Sequence, residues 1–263
     1  MFGIENELFD QLFFLKENYR LGAIKAEFEA EGSTYADLTR LRRLTDKAGV
    51  QLFLKIGGVE AMRDIKDSLE LGVDGLIAPM VESRFGLKKF MDGYRSIYRD
   101  YKIKLAINVE TRNSIEELDG ILDSAAGFID GITLGRTDLS ASYMDESVTP
   151  DCDFMTDLVR AVGRKAKERG LSFTVGGSIC ERTIDGFRSD PGAVRDVDSI
   201  ETRKVVLPME RMIESPEALR EALRFEELYI LSKKELGDLM LEAEMARIAK
   251  LGARARQAFP VGA

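Results

Sequence analysis

The chain has no histidine and no tryptophan among its 263 residues, and only two cysteines. Without histidine there is no Ser–His–Asp or Cys–His nucleophile, no His-ligated zinc and no imidazole base. Cys152 and Cys180 alone build neither a disulfide framework nor a thiolate zinc cluster. Any metal must then take oxygen ligands, which selects magnesium or manganese over zinc. Long apolar runs are also absent: no stretch approaches the ~18 residues that a membrane helix needs. The opening "MFGIENELFDQLFFLKENYR" has acids ahead of its apolar residues and no small-residue cleavage site, so it reads as an amphipathic helix and not a signal peptide. A cytoplasmic location is the default expectation. The net charge of −8 argues against a general nucleic-acid-binding surface.

What is present is a regular alternation. Short apolar segments begin at Gly22, Gln51, Asp74, Ile103, Ile129, Leu171 and Asp198. Helical patterns separate them. "STYADLTRLRRLTDKAG" opens on a hydroxyl cap and closes on Gly49, and the patterns after it close on Gly72 and Gly170. Strand then helix, repeated, is the signature of parallel α/β architecture. No GxGxxG or Walker motif follows any strand. Charged residues instead sit at many strand ends: Glu27, Glu29, Lys55, Glu82, Glu110, Asp138 and Arg203. A (β/α)8 TIM-type barrel gathers all such ends around one mouth, whereas an open sheet spreads them along an edge, so the barrel is preferred. Seven strands are clear. The eighth is expected to be short, fused or hidden in "LFFLKENYRLGAIKAEF" near the N-terminus. The whole chain, 1–263, reads as one barrel domain. Residues 215–263 form a helical segment longer than one barrel helix needs. Leu228, Leu231, Leu236, Leu239 and Met240 give this segment an apolar stripe, which either closes its own barrel or is exchanged with a neighbouring subunit in a homo-oligomer.

Two stretches carry candidate chemistry. "NVET", 108–111, ends one strand and "GRTDLS", 135–140, ends the next. Neighbouring strands lie about 5 Å apart, so Glu110 and Asp138 can converge on one ion. Either acid alone reads as a helix cap or first-turn acid. Both on consecutive strands point to magnesium or manganese, because such ions keep several waters and need few protein ligands.

"GVDGLIAPMVES", "NVET" and "IDGITLGRTDLSAS" in this order resemble the HpcH/HpaI aldolase and citrate-lyase-like family of phosphoenolpyruvate/pyruvate-binding barrels. The resemblance runs from about Gly22 to Val206. It implies a divalent metal chelated by a 2-oxo acid or its enolate, with Glu110 and Asp138 as ligands. It also implies oligomers that exchange C-terminal helices. The activity implied is a metal-dependent carbon–carbon lyase acting on a 2-oxo acid. A condensing synthase is the alternative enzyme, and an anion-binding barrel without catalysis the alternative class. A metal on the carboxylate and carbonyl oxygens of pyruvate stabilises the enolate as a Lewis acid. Arg136, in the same loop as Asp138, is expected to add positive charge.

The departures from that family matter as much. Where relatives carry an acid–histidine pair, "IKAEFEAEGS" offers Glu27, Glu29 and Glu31. Glu29, supported by Glu27, is the expected base: residues two apart on a strand share a face, and paired acids in a dry site raise one pKa. Where relatives carry an arginine, "LFLKIGG" carries Lys55, a point charge without the bidentate fork. Lys55 and Arg136 are expected to hold the substrate carboxylate. "TVGGSICERT" offers Gly176, Gly177 and Ser178 before a helix, a place that suits phosphate or carboxylate, although Ser178 as a plain cap is an equal reading. Of Arg203 and Lys204, alternation lets only one face the mouth. Together these features suggest a phosphorylated or sugar-acid co-substrate. Cys180 reads as a small filler.

Overall fold

The computed structural model describes residues 3–258, so the ends of the expected 1–263 span lie outside the described residues. Eight strands close into one barrel in sequence order. The first seven are β1 (Ala23–Glu27), β2 (Gln51–Lys55), β3 (Gly75–Ala78), β4 (Lys104–Val109), β5 (Gly131–Gly135), β6 (Ser172–Gly176) and β7 (Ser199–Glu201). They pair in parallel from β1 to β7. Alternation decides what faces where. Ile24 and Ala26 of β1, and Leu105, Ile107 and Val109 of β4, are buried against the outer helices. Lys25 and Glu27, and Asn108 and Glu110, take the opposite face, inside the barrel.

The eighth strand is not hidden at the N-terminus. Gly3–Tyr19 is a helix, α1. The segment "DSIETRKVVL" instead divides into β7 and β8 (Val205–Pro208), with Thr202, Arg203 and Lys204 as the turn between them. β8 therefore runs antiparallel to both β7 and β1. The physical reason is connection length. A parallel return needs a crossover of a dozen or more residues, and three residues permit only a hairpin. The turn consequently stands at the mouth among the C-terminal ends of the parallel strands.

The helices follow their caps. Thr34 opens α2 (Tyr35–Ala48) with a reciprocal capping box to Asp37, and Gly49 closes it in the left-handed conformation that an L side chain resists. The outer ring continues with α3 (Met62–Leu71), α4 (Arg84–Tyr98), α5 (Arg112–Glu116), α6 (Leu118–Ala125), α7 (Arg136–Ser142), α8 (Asp153–Glu168) and α9 (Glu181–Ser189). After the short α10 (Met209–Glu214), α11 (Glu217–Ala258) runs for 42 residues. At 1.5 Å per residue that is about 63 Å. Its first half buries Ala218, Ala222, Phe225 and Tyr229, and it packs on α1, where Gln11 donates to the Glu221 carbonyl at 3.0 Å. Its second half is bare: Leu239, Met240, Leu241, Met245, Ile248 and Leu251 are all exposed. Of the expected apolar stripe only Leu228 is buried within this chain.

Because β8 closes the barrel through few residues, its core side chain is a sensitive point. Leu207 has no exposed surface. Leu207→Ala should cost about 2–5 kcal/mol, the range for a buried leucine cavity. Urea unfolding followed by circular dichroism measures it; a loss of a few tenths would show that β8 is dispensable to closure.

Candidate active site

The barrel mouth holds a cavity of about 490 Å3. Charged and polar side chains form most of its wall: Lys25 and Glu27 from β1, Lys55 from β2, Asn108 and Glu110 from the end of β4, and Glu201 from β7. Thr137, Asp138, Ser178 and Arg203 reach it from the loops and helix starts above. Leu223 of α11 and Ile179 supply an apolar edge. A larger recess, about 950 Å3, lies on the outer wall between α4 and α5–α6. Glu82, which the sequence groups with the strand-end charges, belongs to that recess and not to the mouth.

Glu110 is the most constrained group in the site. It is buried, and its two oxygens accept from the Met80 amide and from Asn108 Nδ2, each at 2.9 Å. Each oxygen keeps a lone pair. Burial pushes its pKa above the usual glutamate value; the two hydrogen bonds and Lys55 work against that rise, and nearby Asp138 adds to it. A Cβ at Gly135 would lie 2.7 Å from Glu110 Oε2. Only glycine therefore lets Glu110 lie across the end of β5. Asp138 is exposed and has no side-chain hydrogen bond among the described residues.

The base of the opposite wall is a chain of ion pairs. Glu27 meets Lys55 Nζ at 2.6 Å and Arg203 Nη1 at 3.2 Å. Burial opposes the Lys55 charge, but Glu27, Glu110 and Asp138 outweigh it and raise the lysine pKa. Arg203 faces the mouth, while Lys204 turns outward to Glu31 and lies 4.2 Å from the centre of the Tyr229 ring. Only one of the two faces the mouth, as expected, but both belong to the β7–β8 turn, so strand alternation is not the cause.

Three expectations need correction. Glu29 does not share a face with Glu27, because β1 ends at Glu27 and the period of two ends with it. Glu29 is exposed and lies over Gly57, outside the cavity wall. Arg136 is 2% exposed and already engaged within the protein: four of its five N–H groups donate, to the carbonyls of Gly176, Gly177 and Pro150 and to Asp151. It braces the β6 loop from beneath, and it does not line the mouth cavity. Gly176, Gly177 and Ser178 do reach the mouth region, yet α9 begins beyond them at Glu181, with Cys180 and not Ser178 as its cap. Gly177 has φ of +84°, and a Cβ there would lie 2.5 Å from the Thr137 amide. This close backbone approach brings Ser178 Oγ within 2.8 Å of Thr137 Oγ1.

The sequence reading missed Lys25, Asn108, Thr137 and Glu201. The available signal for Lys25 was its place two residues before Glu27, on the same strand face. The donor set at Glu110 and Asp138 fits a hard divalent cation: two carboxylates, free lone pairs, and no third acid to complete a cage. Among the described residues no group of three or more acidic, cysteine or histidine ligands gathers anywhere. An ion held here would fill its remaining positions with water and substrate oxygen, as magnesium does.

The HpcH/HpaI aldolase/citrate lyase family model matches residues 32–190, more than half of the chain. No curated protein matches. Among solved structures, an HpcH/HpaI aldolase from Desulfitobacterium hafniense is similar, with a TM-score of 0.58 at 17% identity over 74% of this chain and 82% of that one. An HpcH/HpaI aldolase/citrate lyase family protein from Burkholderia cenocepacia gives 0.55 at 16% identity, over 76% and 83%. The citrate synthase variant SbnG gives 0.53 at 18%, over 81% and 84%. At such identities the likeness is one of fold.

The raised pKa of Glu110 has a signed consequence for the metal-free protein. The folded chain binds a proton at Glu110 more readily than the unfolded chain does. Stability therefore falls as pH rises from the ordinary value of 4.5 to the raised one, and stays lower above it. Glu110→Gln should melt at a higher temperature than the wild type near neutral pH, with the gap closing as the solution is acidified. Thermal melts across pH check this; a gap independent of pH would contradict it.

Proposed function

The chain belongs to the HpcH/HpaI aldolase/citrate lyase family, and from that premise we propose that it cleaves or forms a carbon–carbon bond next to the carbonyl of a 2-oxo acid, through a pyruvate-like enolate. One observation carries the reading: Glu110, just past the end of β4, and Asp138, in the first turn of the helix that follows the adjacent β5, line the same cavity as Lys55. A pocket meant only to hold an anion has no use for two unpaired carboxylates beside its cation. Bound by Glu110 and Asp138, magnesium or manganese would supply Lewis acidity at the substrate carbonyl.

The chain's own residues divide the remaining work. Lys55, already drawn toward the acids, holds the substrate carboxylate as a charged donor. Arg203, half-exposed beside Glu27, offers a second cation at the rim. Thr137 and Ser178 present hydroxyls on the far side of the mouth, where the hydroxyl or phosphate of a sugar-acid or phosphorylated co-substrate fits. Leu223 and Ile179 give the same cavity its apolar edge. The condensing direction uses the same groups in reverse order.

Among the described residues no helix is long and apolar enough to cross a membrane. A cytoplasmic enzyme that binds neither membrane nor nucleic acid is part of the same proposal. So is a homo-oligomer, supported by the bare apolar side chains on the second half of α11.

The test is a screen of 4-hydroxy-2-oxo acids for pyruvate release with magnesium or manganese present. Release that depends on added metal is expected; none with any acid of this class would contradict the reading. Lys55→Ala should raise KM while largely sparing kcat, since a charged hydrogen bond contributes about 1.5–3 kcal/mol, roughly 10- to 100-fold. Unchanged KM would remove Lys55 from the substrate site.

A further inference from the structure

The enolate reading needs a group to carry a proton, and histidine is absent. Glu29 lies outside the cavity. Glu27 is clamped between Lys55 and Arg203. Two ionisable groups in the cavity wall remain unassigned, Lys25 and Glu201. Both are buried, and they form an ion pair with each other inside the barrel. Lys25 reaches Glu201 across β8, over Val206, which faces Ala23 on one side and Glu201 on the other.

The placement of Glu201 is specific. A Cβ at Gly176 would lie 2.7 Å from Glu201 Cγ, so Glu201 lies flat across the end of β6. Gly176 pairs in register with Gly135, which Glu110 crosses in the same way. Two glutamates thus approach from β7 and from β4 over neighbouring glycine strand ends, about 5 Å apart. Glu201 nevertheless does not join Glu110 and Asp138 in a ligand cluster. Its Oε1 accepts from Lys25, and no other described side chain donates to it. A buried ion pair is a poor stabiliser compared with apolar side chains of the same volume. Its presence in the cavity wall, beside the metal-type acids, asks for a chemical role.

We propose that Glu201, positioned by Lys25, is the proton-transfer residue of this site. The inference rests on the enolate reading. In the pyruvate half-reaction the proton of the C3 methyl group passes to a Glu201 carboxylate oxygen. The C–H electron pair becomes the C2–C3 double bond, and the carbonyl π pair moves to oxygen. In the cleavage direction the same carboxylic acid returns its proton to C3. Lys25 keeps the carboxylate aimed through their ion pair, and Gly176 keeps its path open.

The experiment is exchange of the pyruvate methyl protons with D2O, followed by proton NMR with magnesium present, beside calorimetric binding of magnesium and of pyruvate. Wild-type protein exchanges the methyl protons. Glu201→Gln keeps a hydrogen bond to Lys25, so it should fold and bind both ligands normally, yet lose exchange by at least about 100-fold, the usual weight of a general base. Glu201→Asp should recover part of the rate. Lys25→Met should slow exchange while magnesium and pyruvate still bind, because the carboxylate loses the group that aims it, and Lys25→Arg should recover part of the rate; a merely structural lysine would leave exchange in step with the amount of folded protein. Full exchange in Glu201→Gln would overturn the inference and leave the enolate reading standing. Exchange that falls only in proportion to lost metal or pyruvate binding would also overturn it, making Glu201 structural. If wild-type protein binds metal and pyruvate but never exchanges, the enolate reading fails and takes the inference with it.

Discussion

An ion placed inside a closed barrel has to find a partner there, and that need organises the whole mouth of this protein. Removing a charge from water costs several kcal/mol unless another charge or hydrogen bond answers it. β1 sends Lys25 and Glu27 inward, β2 sends Lys55 and β7 sends Glu201. They resolve into Lys25–Glu201 and a Lys55–Glu27–Arg203 chain. Glu110 is answered by an amide and an asparagine instead. What remains is Asp138, an acid without a hydrogen-bonded partner beside a carboxyl whose pKa is raised. These buried charges of the mouth are all answered, and the exposed Asp138 stands free beside Glu110, where a cation fits.

Glycine makes that arrangement sterically possible. Gly135 and Gly176 stand opposite each other in the ladder, and each yields its surface to a glutamate from a neighbouring strand. Arg136 then works from below, tying the Gly176 and Gly177 carbonyls to Pro150 and Asp151. The floor of the mouth is rigid because an arginine that the sequence places near the chemistry serves instead as its brace. The hairpin between β7 and β8 completes the rim by holding Arg203 over Glu27. α11 adds Leu223 to the same rim, so the long terminal helix is part of the site's wall as well as an exposed surface.

Much of this was legible in the sequence where a single period governed. Strand positions, helix ends at Gly49, Gly72 and Gly170, and the shared mouth for Glu110 and Asp138 follow from alternation, caps and strand order. The misreadings arose where a period was carried past its element. Glu29 lies two residues beyond Glu27, but the strand stops at Glu27. Arg136 and Asp138 are two apart on α7, and a helix turns about 100° per residue, so they point to nearly opposite sides. "DSIETRKVVL" hid its turn because Thr202, Arg203 and Lys204 separate Ile200 from Val205 and Val206 without glycine or proline to mark the break. Glu201 was missed for the same reason: inside an apparent continuous strand it looked like one charge among several.

The central claim is that Glu110 and Asp138 jointly hold a divalent cation to which a 2-oxo acid adds its own oxygens. Manganese binding, followed by its electron paramagnetic resonance signal with and without oxalate as an enolate-shaped bidentate ligand, addresses it directly. The account predicts one manganese per chain, bound more tightly when oxalate is present, and loss of both effects in Asp138→Ala with the fold intact. Equal manganese affinity in the wild type and Asp138→Ala, or oxalate binding indifferent to the metal, would contradict it.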